Sequence, residues 1–242
     1  MSFEILNWDS AFFGFKVAKI LNPILTPDEL TGILEELRAG NVSLVYWPSE
    51  DEAEKSRVAA EKCGGFLVDR KRTYVTNLSE NLNTPSLLFR EVEFYGRNQV
   101  SADLQNLAIA SGVFSRFNVD SHFPRELFRR LYHLWIEKSV QGVDAQRVLV
   151  YRSGGRIVGM ATVGPQFDRA SIGLIAVDPE FSGRGIGTAL VYAAKSWAFQ
   201  NHFSISQVIT QAANEAACAL YKKCGYNVEK KADFYHFWLK EV

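Results

Sequence analysis

The amino-acid sequence predicts an α/β protein with a mixed β-sheet, arranged as two domains. The chain has 242 residues, 47% of them hydrophobic and 13% aromatic, which is enough to bury one or two cores. In the middle of the chain, apolar and polar residues alternate as in the strands of hairpins. In the last part, segments with a strand pattern alternate with segments that have the period of a helix. A polar stretch containing Pro85 lies between the halves. We therefore expect one domain over residues 1–86, linker included, and a second over residues 87–242.

The first half alternates strands with helices. Periodicity predicts strands over 16–21, 42–47 and 66–78, and helices over 27–39 and 51–63. Pro48 is expected to end the second strand, and Gly64 to end the second helix. Residues 79–86 are polar and carry no apolar period, so they are the expected linker.

The second half contains more strands. The expected strands are 87–94, 147–152, 156–164, 170–177, 205–210 and 226–239. The expected helices are 100–112, 124–141, 214–224 and one that opens on the glycine-rich loop 183–187 and reaches about residue 201. Gly154 and Gly155 predict a tight hairpin between two of the strands. Hairpin strands followed by alternating helices and strands are typical of a mixed sheet.

Composition excludes several functional classes. Lys and Arg number 27, as do Asp and Glu, so no basic surface for a nucleic-acid polymer is expected. The three cysteines form no CxxC pair, which predicts neither a disulfide framework nor a metal site. No apolar run approaches the roughly 18 residues of a membrane span, and the N-terminus has no basic leader. We therefore expect a cytoplasmic protein with no membrane insertion.

The glycine-rich loop at 182–188 predicts an anion site. It follows an apolar strand and opens a helix, and its glycines allow consecutive N–H groups to face one concavity. A P-loop is disfavoured because Gly187 precedes Thr188 where that motif needs lysine, and neither register of the loop completes a dinucleotide fingerprint. A plain strand-to-helix turn without a ligand is the structural alternative.

The loop stands between two further patterned segments. The preceding strand ends in Leu174-Ile175-Ala176-Val177-Asp178-Pro179, and the following helix reads Asn214-x-x-Ala217-x-x-Leu220-Tyr221-x-x-x-Gly225-Tyr226. With Gly183-Arg184-Gly185-Ile186-Gly187, this ordered set resembles the acetyl-CoA site of the GCN5-related N-acetyltransferase (GNAT) family, over roughly residues 87–242. Ser182 departs from the pattern because the family usually has Arg or Gln there, and Arg184 is the expected substitute.

The resemblance implies a GNAT fold whose central sheet splays apart to admit the coenzyme. It places the pantetheine arm along Ile175, Ala176 and Val177, an oxyanion donor near Val177, and the pyrophosphate on the loop and helix start formed by Ser182, Gly183, Arg184, Gly185, Ile186, Gly187 and Thr188. Tyr221 is the implied general acid, and Asn214, seven residues earlier on the same helix, is expected to face the coenzyme. The structural alternatives are a packed tyrosine at 221 and a helix N-cap at 214.

Further segments extend the resemblance over nearly the whole chain. They are residues 7–14 (NWDSAFFG), residues 114–117 (FSRF) and Tyr132-x-x-Trp135-Ile136-Glu137. They are similar to GNAT enzymes that acetylate nucleotide-linked 4-amino-4,6-dideoxy sugars, in which an incomplete GNAT-like N-terminal domain precedes the catalytic one. Ser115, Arg116, Phe117 and His122 are the candidate acceptor-binding residues, with Phe117 or Phe123 stacking on a base. Charged loop residues are more often simply solvated, which is the alternative.

An internal similarity agrees with the incomplete domain. The helix, glycine and strand around Cys63-Gly64 repeat the pattern around Cys224-Gly225. Setting Cys63 against Cys224 places Ala60 opposite Tyr221 and Ala53 opposite Asn214, so the first half lacks both chemical residues. Its expected role is structural.

The resulting expectation is an acetyl-CoA-dependent N-acetyltransferase without a metal, acting by direct attack of a small-molecule amine, with water as the expected base. The expected acceptor is a nucleotide sugar of the dTDP-4-amino-4,6-dideoxyhexose type, which would serve cell-surface polysaccharide synthesis. Two alternatives stay open: a GNAT enzyme for another small-molecule or protein amine, and a non-catalytic acyl-CoA-binding regulator. A homodimer also stays open.

Overall fold

The computed structural model describes residues 2–50, 53–78, 89–96 and 98–240. The chain divides into two compact units, of which the first combines Met1–Arg72 with Lys230–Val242 and the second is Thr73–Glu229. The predicted linker at 79–86, and with it the predicted domain boundary, lies outside the described residues. That boundary stays a prediction.

The described chain alternates strands and helices as expected. The strands are β1 (Phe3–Ile5), β2 (Val17–Ile20), β3 (Leu44–Glu50), β4 (Phe66–Asn77), β5 (Val92–Phe94), β6 (Arg147–Ser153), β7 (Arg156–Gln166), β8 (Arg169–Val177), β9 (Ile205–Gln211) and β10 (Asn227–Trp238). The helices are α1 (Asn7–Phe13), α2 (Pro27–Ala39), α3 (Glu54–Lys62), α4 (Ala102–Ser111), α5 (Arg116–Val119), α6 (Arg125–Val140), α7 (Ile186–Gln200) and α8 (Glu215–Lys223). Sequence periodicity did not predict β1, α1 or α5, each of which has seven residues or fewer.

The first unit is a mixed sheet with the strand order β1-β2-β3-β10-β4. Strand β2 pairs parallel with β3, while β1 and β10 pair antiparallel with their partners. Helix α2 begins at a capping box in which Thr26 and Glu29 satisfy each other's backbone N–H groups. Its Leu30, Leu34 and Leu37 side chains are buried in the core of this unit.

Strand β3 continues through Pro48, where the sequence predicted an end. Strand β2 pairs only with residues 44–46 of β3, whereas β10 pairs with residues 44–50. At Pro48, β3 therefore pairs with β10 and no longer with β2. A proline, which has no N–H group, is tolerated at such a position.

Strand β10 explains why the C-terminus belongs to the first unit. Residues 232–238 pair antiparallel with residues 44–50 of β3, which belong to the first unit. Sequence analysis assigned the same strand to the second domain, because only its position along the chain was known.

The second unit is a mixed sheet with the strand order β4-β9-β8-β7-β6-β5. Gly154 and Gly155 both have positive φ, 57° and 83°, and form the predicted tight turn between β6 and β7. Helices α4 and α6 supply the core of one face through residues such as Leu104 and Ile136. Helix α7 supplies the core of the other face, where Leu190 and Trp197 are buried.

Three consecutive elements occur twice with one spacing. Leu44 and Ile205 begin strands of 7 residues, and Glu54 and Glu215 begin helices of 9 residues. Phe66 and Asn227 begin strands of 12 residues. All three pairs of positions differ by 161 (205 − 44, 215 − 54 and 227 − 66). The register therefore matches the internal similarity seen in the sequence.

None of the helices in the described ranges is both long enough and apolar enough to cross a bilayer.

Candidate active site

Strands β8 and β9 pair over only part of their lengths. Residues 170–172 pair with residues 206–208, although β8 continues to Val177 and β9 to Gln211. The remaining parts, residues 173–177 and 209–211, form an open edge on each side of a gap. Strands β8 and β9 therefore separate after residues 172 and 208, as the GNAT resemblance implied.

The amides of β8 alternate in direction, which determines what the open edge offers. The N–H of Asp178 donates to Val158 O at 2.8 Å, so it points toward β7. Successive N–H groups of a strand point to opposite edges. The N–H groups of Ile175 and Val177 therefore face the open edge, where both were expected to meet the coenzyme.

A short anchored turn carries the chain from β8 to the glycine loop. Pro179–Phe181 form a 3₁₀ turn, and Asp178 Oδ1 accepts from the N–H of Glu180 at 3.0 Å. Arg156 Nη2 donates to Asp178 Oδ2 at 3.0 Å. The entry to the loop is thereby held to the start of β7.

The glycine loop adopts the conformation that an anion nest requires. Gly183 and Gly185 have φ of 75° and 82°, the left-handed region that favours glycine. Gly185 is the N-cap of α7 and supplies no side chain, and the first helical bond runs from Ala189 N to Gly185 O. The N–H groups of residues 186–188 therefore have no acceptor within the helix and can bind an anion.

Gly187 serves packing as well as the loop. A Cβ placed on Gly187 would lie 3.1 Å from Leu220 Cδ2 on α8, which is tighter than ordinary contacts. The small residue therefore lets the start of α7 approach the helix that carries Tyr221.

The two side chains at the loop surface are exposed. Arg184 Nη2 donates to Glu180 O at 3.2 Å, and its guanidinium lies 4.8 Å from the centre of the Phe181 ring. Ser182 donates its N–H to Pro179 O at 3.1 Å. The Arg184 side chain is thus held against the 3₁₀ turn that precedes the glycine loop, where it adds a positive charge that Ser182 does not supply.

Tyr221 is buried on α8, with 1% of its surface exposed. Its ring packs against Tyr74 and Tyr226, at centroid distances of 5.6 Å and 6.1 Å. It belongs to the α7 core, against which Ile175 and Val177 also pack. Burial raises the pKa of the Tyr221 hydroxyl well above its ordinary value, so the group is protonated at neutral pH. The burial and ring contacts fit a packed tyrosine, and the role of proton donor stays a prediction.

Asn214 has the structural role that sequence analysis offered as an alternative. Its Oδ1 accepts from the N–H of Ala217 at 3.2 Å, so it is the N-cap of α8. A coenzyme contact by Asn214 stays a prediction.

Lys195 was missed by the sequence analysis. It is buried on α7, and its Nζ donates to Cys224 O, the carbonyl at the end of α8, at 3.1 Å. The ammonium lies 5.4 Å from the Tyr192 ring centre and 5.7 Å from that of Tyr226. The sequence feature that could have identified Lys195 is its position as a single lysine among the apolar residues of the predicted helix.

The four acceptor candidates lie at or near α5. Ser115 is buried, and its Oγ has no hydrogen-bond partner among the described residues. The guanidinium of Arg116 lies 4.5 Å from the centre of the Phe117 ring. His122 is half exposed, with Nδ1 2.8 Å from Oδ1 of buried Asp120.

The aromatic rings of this segment favour a core role. Phe117 and Phe123 are both buried and lie edge to face at 5.6 Å, and Phe117 also meets Trp135 at 6.1 Å. Stacking of either ring on a base, and an acceptor contact by Ser115, Arg116 or His122, stay predictions.

The arrangement fits acetyl-CoA. Uncapped amides at the start of α7 and Arg184 suit a pyrophosphate, and the open edge at Ile175 and Val177 suits an extended amide chain. In the described ranges, no group of three or more His, Cys, Asp or Glu side chains is placed to hold a metal ion.

Comparison with known proteins gives the same family. The model of the Acetyltransferase (GNAT) family matches residues 112–226, which include the open edge, the glycine loop and Tyr221. The chain is 28% identical to dTDP-fucosamine acetyltransferase of Escherichia coli O6:H1 over 98% of its length and 97% of that protein. It is 27% identical to the spore coat polysaccharide biosynthesis protein SpsD of Bacillus subtilis over 97% of its length and 83% of that protein.

A solved structure agrees on the fold. The GCN5-related N-acetyltransferase from Sphaerobacter thermophilus superposes with a TM-score of 0.60 at 15% identity, covering 98% of this chain and 76% of that one. Residues 112–226, which the family model matches, contain the open edge, the glycine loop and the helix of Tyr221. Residues 112–226 therefore match the GNAT acetyltransferase family, and this match together with the named relatives indicates an acetyl-transferring enzyme.

Proposed function

We propose that this enzyme acetylates the amine of a nucleotide-linked deoxyamino sugar of the dTDP-4-amino-4,6-dideoxyhexose type, with acetyl-CoA as donor and Tyr221 as general acid. The observation that carries the acceptor is the similarity to dTDP-fucosamine acetyltransferase, which extends over both units of the chain. The spore coat polysaccharide relative supports the same broad role in polysaccharide synthesis.

The coenzyme would be held by backbone groups more than by side chains. Acetyl-CoA supplies a thioester whose carbonyl carbon is attacked by the acceptor amine and whose sulfur leaves as a thiolate. The amides of residues 186–188 bind its pyrophosphate, with Arg184 in the role that Ser182 does not fill. Residues 175–177 pair with its pantetheine arm as an added strand would.

The open edge also supplies electrostatic stabilisation. Negative charge develops on the acetyl oxygen during attack, and a fixed N–H group beside it lowers the barrier. The amides of Ile175 and Val177 face the gap and need no reorganisation to donate. We assign the oxyanion donor to this pair.

Tyr221 would return a proton to the leaving sulfur. An ordinary phenol has a pKa of about 10 and an ordinary thiol about 8.5, so the transfer is uphill from the start. Burial raises the pKa of Tyr221 further, which keeps its proton in place until the thiolate forms. Water takes the proton that the amine loses, and a proton from solvent returns to Tyr221 before the next turnover, so charge and protons balance over the cycle.

We propose a structural role for the first unit, as an incomplete GNAT-like half. The repeated spacing supports this, because α3 and α8 have equal lengths and both end at a cysteine followed by a left-handed glycine. Ala53 stands at the N-cap of α3 where Asn214 caps α8, and Ala60 stands where α8 has Tyr221. The first half therefore carries neither chemical group.

We also propose a cytoplasmic enzyme, because all three cysteines are free thiols. A homodimer stays a prediction, which size-exclusion chromatography with light scattering would decide.

The acceptor is tested with a panel. Purified protein and acetyl-CoA are mixed with dTDP-4-amino-4,6-dideoxygalactose, a UDP-linked amino sugar, free amino acids, spermidine and a peptide with a free N-terminus. CoA release and the acetylated product are followed by thiol titration and mass spectrometry. We expect the highest kcat/KM with the dTDP-linked amine, and reactions without acceptor measure background hydrolysis.

Two results would contradict the proposal. A higher kcat/KM with spermidine, an amino acid or the peptide would move the enzyme to another GNAT substrate class. Binding of acetyl-CoA with no acetylation across the panel would favour the acyl-CoA-binding regulator.

A further inference from the structure

The pairing of β8 with β7 is irregular at the point where β8 leaves β9. Ala161 faces Ile175 and Val163 faces Ile172, so two residues of β8, Gly173 and Leu174, lie opposite one residue of β7. One extra residue on one strand is a β-bulge, which bends its strand and increases its twist. The parallel pairing with β9 ends at residue 172, immediately before the bulge.

The residue opposite the bulge is Thr162, and its side chain completes the pairing. The N–H of Leu174 donates to Thr162 Oγ1 at 2.8 Å. Thr162 is buried, with 3% of its surface exposed, so water does not replace this bond readily. The hydroxyl therefore satisfies a backbone donor that the bulge removes from the regular ladder.

Gly173 leaves the space that the hydroxyl occupies. A Cβ built on Gly173 would lie 2.7 Å from Thr162 Oγ1, closer than real contacts allow. The glycine of the bulge and the threonine opposite it are therefore complementary in shape as well as in hydrogen bonding.

The bulge also changes which side chains face α7. Before it, the even-numbered Ala170 and Ile172 pack in the α7 core; after it, the odd-numbered Ile175 and Val177 do. Leu174 and Ala176 pack on the α4 and α6 side instead. Because side chains and amides alternate with period two, one extra residue reverses both patterns downstream.

We infer that Thr162 is a positioning residue for acetyl-CoA: its hydroxyl holds the bulge, and the bulge turns the N–H groups of Ile175 and Val177 toward the gap. This inference rests on the proposed coenzyme site at that edge. Thr162 itself touches no reacting atom in this account, because it acts through Leu174.

Thr162→Val tests the hydroxyl with little change of volume. Loss of the acceptor leaves a buried N–H group without a partner, so we expect the Kd for acetyl-CoA to rise about tenfold or more. Thr162→Ser keeps the hydroxyl and should bind within about threefold of wild type. Isothermal titration calorimetry gives Kd, and steady-state kinetics should show a larger change in the KM for acetyl-CoA than in kcat.

Hydrogen exchange provides a readout without coenzyme. The Leu174 amide should exchange faster in Thr162→Val than in wild type or Thr162→Ser, because its acceptor is gone. Ile136→Val removes one methylene from the α4 and α6 core and serves as the matched control for a loss of stability. It should leave both the Kd and the Leu174 exchange rate unchanged.

The outcomes separate this inference from the proposed function. If wild-type protein binds no acetyl-CoA, the coenzyme site itself is wrong. If wild type binds and Thr162→Val binds equally well with unchanged Leu174 exchange, Thr162 has no positioning role. Should Thr162→Val not fold, Gly173→Ala presses on the same hydroxyl from the other strand, and wild-type Kd in that variant would equally overturn the inference.

Discussion

The hydroxyl of Tyr221 is the proposed proton donor, and the side chain that carries it is buried. The ring is enclosed by Tyr74 and Tyr226, and this burial raises the pKa of the phenol. A raised pKa weakens the group as an acid, but in the proposed mechanism it also keeps the proton available for the leaving thiolate. At the equivalent position of the first half, Ala60 is buried without any proton to give.

Tyr221→Phe isolates the hydroxyl, since the ring and its packing stay. We expect kcat to fall by about 10² to 10⁴, the range for loss of a general acid, with the Kd for acetyl-CoA unchanged. Stopped-time assays with the preferred acceptor measure kcat, and calorimetry measures Kd. A kcat within about twofold of wild type would remove Tyr221 from the mechanism.

At the scale of elements, helices α7 and α8 approach each other at two places, near Gly187 at the start of α7 and near Lys195 farther along it. Gly187 contacts Leu220 near the start of α7, and Lys195 reaches the last carbonyl of α8, at Cys224. A positive charge at a helix C-terminus is favourable, although burial of an ammonium group is costly. These two approaches therefore fix α8, which carries Tyr221, relative to the start of α7.

Lys195→Met should change how stability depends on pH. Burial lowers the pKa of Lys195 from the ordinary 10.5. At pH values between the lowered pKa of Lys195 in the folded state and its pKa in the unfolded state, the unfolded chain binds more protons. The contribution of Lys195 to the unfolding free energy therefore increases as the pH rises through that range. We expect the unfolding free energy of wild type minus that of Lys195→Met to increase with alkaline pH.

Urea denaturation at several pH values measures that difference. Because tyrosines that are buried in the folded state titrate in this range once the chain unfolds, only the difference between the two proteins is informative. Lys55, on exposed α3 surface, gives the matched control in Lys55→Met, whose difference from wild type should not change in this way. A difference that decreased with rising pH would contradict the assignment.

At the scale of the whole molecule, the residues proposed to bind the coenzyme all lie in one of the two units. The open edge, the nest and Tyr221 belong to Thr73–Glu229. A ligand that binds only the folded state stabilises it by mass action, by about 2.7 kcal/mol at a concentration of 100 Kd.

Acetyl-CoA should therefore raise the melting temperature by several degrees, as measured by calorimetry. Acetyl-carnitine, which has the acetyl group but no pyrophosphate, is the control and should cause no shift. Equal shifts with both compounds, or none with saturating acetyl-CoA, would contradict binding through the loop amides.

Much of the site could be predicted from the sequence because its parts are local. The glycine loop, the strand before it and the spacing from Asn214 to Tyr221 each depend on residues close in the chain. Lys195 and Thr162 escaped the analysis because their partners, Cys224 and Leu174, are brought to them only by folding. Phe117 and Phe123 were candidates for stacking on a base, and their contact with each other in the core became visible only in the structure, while the stacking itself stays a prediction.

The sequence by itself determined the mixed α/β class, the left-handed glycines of the loop and the likeness to the GNAT family, because backbone conformation at glycines and hydrophobic period are properties of short segments. Only the tertiary structure decided where β8 leaves β9, which amides face the gap, and that the last strand lies with the first unit. Those features depend on register between strands, and register depends on contacts between residues far apart in the chain.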